Sequence, residues 1–66
     1  MMMKFNVTDM TCGHCVKSIT EAIHAVAPDA LVLCDLSTKL VQVDGEYLPQ
    51  DIENAIKDAG FHSQAS

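Results

Sequence analysis

The chain has no tryptophan and no arginine, and its few aromatics are Phe5, Tyr47 and Phe61. Its four lysines face nine acidic residues, for a formal charge of −5. Nucleic acid calls for a basic face, and so does an anionic membrane surface. Neither suits this balance, and a partner with a basic docking face is the natural complement. No apolar run approaches the roughly 20 residues of a membrane span, so direct membrane insertion is not expected. The opening Met1-Met2-Met3-Lys4-Phe5-Asn6 is interrupted by Asn6, Thr8 and Asp9 too early for a secretory signal. Sixty-six residues hold one small domain, taken here as 1–66, with no room for a cleft between domains. The three cysteines are an odd number and cannot close into a disulfide framework. Two of them spaced as CxxC suit a reducing compartment, and the chain reads as soluble and cytoplasmic.

What is present is a run of alternating short patterns. Lys4 to Val7 reads as a strand, with Phe5 and Val7 on one face. Thr8 to His14 is a loop. From Cys15 the period becomes helical, with Val16, Ile19, Ala22, Ile23 and Val26 on one side and Lys17, Thr20, Glu21 and His24 on the other. Ala27-Pro28-Asp29 ends that helix. Ala30 to Leu36 and Leu40 to Val43 are two strands joined by the Ser37-Thr38-Lys39 turn, an antiparallel hairpin. Pro49 opens a second helix whose stripe is Ile52, Ala55, Ile56 and Ala59, and Gly60 stands where a left-handed terminator belongs. Phe61 and His62 are expected to begin a short last strand, with 63–66 as a frayed tail. The order βαββαβ predicts an α+β, ferredoxin-like open-faced sandwich: two helices on one face of a four-stranded antiparallel sheet.

The chemistry concentrates in Met10-Thr11-Cys12-Gly13-His14-Cys15. Two thiols three positions apart can converge above the first turn of a helix. Unpaired N–H groups and the helix dipole there favour negative charge, so a thiolate forms more easily. Soft thiolates select soft ions, and Cu(I) accepts as few as two ligands, whereas a structural zinc site closes with four. Two thiolates around Cu(I) carry a net charge of −1, which the helix start opposes. Low coordination also suits transfer, since an incoming thiolate can attack an unfilled position.

The Met10-Thr11-Cys12-x-x-Cys15 element after a first strand, the Gly60-Phe61 pair after a second helix, and the βαββαβ order at this length together resemble the heavy-metal-associated domain. The likeness is greatest to its free-standing bacterial copper chaperones. It implies Cu(I) held by Cys12 and Cys15 and passed to a similar metal-binding domain of a copper-transporting P-type ATPase. This loop opens on Asp9, where that family usually has glycine, and position 61 is phenylalanine, where bacterial chaperones often have tyrosine.

Each neighbouring residue has a plainer reading beside its functional one. Met10, apolar in a polar loop, is expected to tuck beneath the site and anchor it rather than ligate. His14 is expected to face solvent, with an auxiliary metal contact as its functional alternative. Phe61 is expected to cap the site. His62 is expected to point outward from it, and as an auxiliary ligand it would act within the monomer or across a metal-bridged homodimer. Cys34 shares a face with Val32 and Leu36 and reads as a core thiol. His24 reads as solvated. Leu31, Leu33 and Leu40 are placed on the helix-free sheet face.

Three other functions compete. Cys-Gly-His-Cys is the active-site tetrapeptide of protein disulfide isomerases, but the chain is short for a thioredoxin fold and Met10-Thr11 replaces the usual tryptophan context. The same thiols can take Zn(II), Cd(II) or Hg(II). A metal sensor or an ATPase-borne regulatory domain would share the whole pattern. The sequence reads best as a non-enzymatic copper carrier.

Overall fold

The computed structural model describes residues 2–65. The elements follow the order β1 (Met2–Asn6), α1 (Gly13–Val26), β2 (Leu31–Asp35), β3 (Leu40–Asp44), α2 (Pro49–Asp58) and β4 (Gln64–Ala65). β1 begins earlier than its sequence pattern suggests, because Met3 extends the alternation of Phe5 into the core. Val7 lies past the end of β1 yet is fully buried, and its N–H donates to the Lys39 carbonyl at 2.8 Å.

The three five-residue strands form an antiparallel sheet. Met3 lies opposite Val43 and Phe5 opposite Val41, while Val43 and Val41 in turn face Val32 and Cys34. These rows point to the helices. The other face carries Met2, Leu31 and Leu33, all more than half exposed, and a half-buried Leu40. β4 pairs with the outer edge of β1 through Phe5–Ala65 and Asn6–Gln64, giving the order β2-β3-β1-β4.

α1 buries Ile19 and Ile23, and α2 buries Ile52, Ala55 and Ile56, all in one core with the inward strand residues. The stripe on α1 does not end on Val26, which is 50% exposed; Ala27 takes the buried place. Ala27 is four residues beyond Ile23, and its N–H closes on the Ile23 carbonyl at 2.8 Å. A helical repeat of 3.6 residues carries the apolar face to 27 rather than 26.

The end of α2 explains where the last strand falls. Gly60 has φ +93°, its N–H donates to Lys57, and the Phe61 N–H donates to Ile56. That pair of bonds is the Schellman termination, in which the residue after glycine packs back on the helix. Phe61 is therefore committed to α2, and it packs half-buried against the core. The expected strand at Phe61 and His62 is displaced to Gln64–Ala65, inside the stretch read as frayed tail. Ser66 and Met1 lie outside the described residues.

Candidate metal centre

The β1–α1 loop is anchored from below by Met10. Its side chain is fully buried and its N–H donates to the Val7 carbonyl at 3.1 Å. Packing holds this methionine in the core, as its apolar character inside a polar loop implied.

α1 begins at Gly13, two residues earlier than the amphipathic pattern shows, so Cys12 is its N-cap and Cys15 its third residue. The Cys12 backbone is extended (φ −153°, ψ 170°), and its carbonyl accepts the first helical bond from Val16 at 3.2 Å. N-cap and third-residue side chains face each other across a helix start, the relation used by capping boxes. Here it brings Cys12 Sγ to 3.4 Å from Cys15 Sγ. Both cysteines are free, Cys12 exposed and Cys15 half-buried. No acidic residue occupies the first turn.

Hydrogen bonding from the Thr11 backbone, and then from the Cys12 thiol, holds the Cys15 thiol below its ordinary pKa, with desolvation acting weakly against it. The two thiols lie within hydrogen-bonding distance of each other, and either sulfur can be the donor. Metal–sulfur bonds of about 2.3 Å put two sulfurs about 3.8 Å apart at a tetrahedral angle and about 4.6 Å apart in a line. The present 3.4 Å is shorter than either, so the sulfurs must part by about 0.4–1.2 Å to hold an ion between them.

Among the described residues no group of three or more His, Cys, Asp or Glu side chains is assembled to hold a metal. His14 is exposed on the first turn of α1. His62 points outward, its side chain 92% exposed, and it is held by Asp9: Nδ1 lies 3.0 Å from Asp9 Oδ2, and its backbone N–H donates to the same oxygen at 3.3 Å. This bonding keeps the Asp9 carboxyl below its usual pKa. Cys34 faces the helices, with Sγ 3.8 Å from Thr20 Oγ1, and burial raises its pKa. His24 is exposed, but its Nε2 lies 3.0 Å from the Ala30 carbonyl oxygen.

Two features escaped the sequence reading. One is the Asp9–His62 pair, whose only signal was an acid at a position where the family usually has glycine. The other is Lys39, whose Nζ donates to the Met10 carbonyl at 2.8 Å from 29 positions away.

The chain matches the heavy-metal-associated domain over residues 4–62, and it belongs to that family of metal-binding domains. Among solved structures it is similar to a gold-binding protein, at 33% identity over 97% of this chain and 98% of that one, with a TM-score of 0.92. A copper-binding domain of HMA7, a P-type ATPase, is 26% identical over 98% and 92% of the two chains, with a TM-score of 0.87. The copper chaperone Atx1 from Synechocystis PCC6803 shares the fold, with a TM-score of 0.90 at 24% identity over 92% and 97%. No curated protein sequence matches the chain significantly. No helix among the described residues is long and apolar enough to cross a membrane.

Proposed function

We propose that this protein is a cytoplasmic Cu(I) carrier, not an enzyme, in which Cys12 and Cys15 bind the ion as thiolates. Residues 1–66 act as a single heavy-metal-associated domain, with Gln64–Ala65 as the short fourth strand of a ferredoxin-like sheet. The observation that carries this reading is the sulfur pair, 3.4 Å apart at a helix start, with no third ligand assembled beside it among the described residues. A closed structural zinc site needs four ligands, whereas an open thiolate pair suits a soft monovalent ion. The gold-binding and copper-binding neighbours support a thiophilic soft metal.

The paired carrier is a metal-binding domain of a copper-transporting P-type ATPase, a reading supported by the HMA7 domain's similarity. Transfer proceeds by exchange. A partner thiolate adds to the two-coordinate ion, one of this chain's sulfurs leaves, and the step repeats until both have been replaced. The negative complex stays opposite the positive start of α1 until the ion leaves. The alternative to this two-thiolate site adds His14, or His62 from within the monomer or across a metal-bridged homodimer, as an auxiliary ligand. A disulfide-exchange role would put the same tetrapeptide on this βαββαβ scaffold, without the thioredoxin framework around it.

Anaerobic titration with Cu(I) against bicinchoninate, run beside Zn(II), tests this. Cys12→Ser and Cys15→Ser are each expected to abolish competitive Cu(I) binding while leaving the circular dichroism spectrum unchanged. Tight Zn(II) binding with Cu(I) lost to the chelator would overturn the copper assignment.

A further inference from the structure

We propose that Lys39, in the β2–β3 turn, is the positioning residue of the metal loop: its ammonium holds the Met10 carbonyl and thereby sets the approach of Cys12 to Cys15. The inference rests on the carrier reading above.

The turn itself does not require lysine. Asp35 Oδ1 accepts bonds from the Ser37 N–H at 2.9 Å and the Ser37 hydroxyl at 2.7 Å, which fixes its first half. Its last residue, Lys39, sits at φ +60°, and it is the one non-glycine residue in the left-handed region among those described. Glycine or asparagine takes that conformation with less strain. A long cationic side chain held in a strained backbone is an outlier that asks for a reason.

The reason is on the opposite side of the β1 end. The Lys39 carbonyl accepts the Val7 N–H at 2.8 Å, which places the residue beside the exit of β1. From there Nζ reaches the Met10 carbonyl at 2.8 Å. Met10 is then held at three points: its buried side chain, its N–H on Val7 and its carbonyl on Lys39. Thr11 and Cys12 follow directly, so the start of the thiol loop is fixed in space before any metal arrives. Ordering the loop in advance removes part of the entropy that binding would otherwise have to supply. The bond is charge-assisted and half-shielded, the stronger kind of hydrogen bond.

Lys39→Gly and Lys39→Asn remove the ammonium while suiting the left-handed backbone, and Lys39→Arg keeps a cation of similar reach. Two readouts are taken: amide exchange in the reduced, metal-free protein, and Cu(I) competition with bicinchoninate. The glycine and asparagine variants are expected to stay folded, because relief of the left-handed backbone offsets part of the lost bond. Their Met10 and Val16 amides should nevertheless exchange about tenfold faster, and Cu(I) affinity should fall by about tenfold, in line with losing one hydrogen bond to a charged group. Lys39→Arg should restore both. Parent-like exchange and affinity in either folded ammonium-free variant, or an arginine variant no better than glycine, would overturn the proposal. If the parent protein itself fails to hold Cu(I), the carrier reading falls, while the exchange comparison still decides the role of Lys39.

Discussion

Met10 separates packing from ligation more sharply than either cysteine does. Its side chain is fully buried among the core residues and lies two positions before Cys12. Truncation to alanine removes a large buried side chain, and such changes cost about 2–5 kcal/mol. A single core of this size rarely supplies more than about 3–5 kcal/mol, so Met10→Ala is expected to leave much of the protein unfolded at room temperature. Met10→Leu keeps the volume and removes only the sulfur. Volume-conserving swaps cost less than about 1.5 kcal/mol, which at about 4–8 °C per kcal/mol lowers the melting temperature by at most about 12 °C. The decisive assay is Cu(I) competition on the leucine variant, checked by thermal melting on the same sample. If Met10 only packs, the affinity stays within about twofold of the parent, as suits a loop whose backbone has not moved. A loss of about tenfold or more, the scale at which even outer-shell partners act, would refute the reading that Met10 only packs.

Two further outcomes follow from the same geometry. Cys34→Ala should lower stability by about 1 kcal/mol, the usual scale for a modest buried change, with Cu(I) affinity unchanged; urea unfolding and chelator competition check it, and lost binding would contradict the reading of this thiol as a packing residue. Asp9 has its pKa lowered from 3.8 by His62, so its contribution to stability is present above that value and disappears as pH falls through the lower folded value. Urea midpoints measured between about pH 2 and pH 6 should therefore fall less steeply on the acid side in Asp9→Asn than in the parent; identical slopes would show that the pair contributes nothing.

Much of the architecture was legible because each element announces itself locally. Two helical stripes, three alternating segments, Pro49 at a helix start and Gly60 at a helix end all act over a few residues, and all appear in place. The boundaries moved where a neighbour decided them. β1 gained Met2 and Met3 because β3 offers Asp44 and Val43 as partners. α1 gained Gly13 and His14 because the Cys12 carbonyl accepts the Val16 N–H and so opens the helix there, although neither residue carries an apolar signal. The last strand moved because the glycine-led termination claims Phe61 for α2.

The sequence alone determined the two thiols at CxxC spacing, their place before an amphipathic helix, the acidic balance and the order of elements, since all of these depend on residue type and on spacing within one or two turns. Tertiary structure decided what surrounds the thiols. Asp9 meets His62 across 53 positions and Lys39 meets Met10 across 29, and no local pattern reports such contacts. They exist because the antiparallel sheet brings the end of β1, the β2–β3 turn and the segment after α2 to one end of the molecule. There an imidazole and an ammonium can act on a loop far from them in the chain.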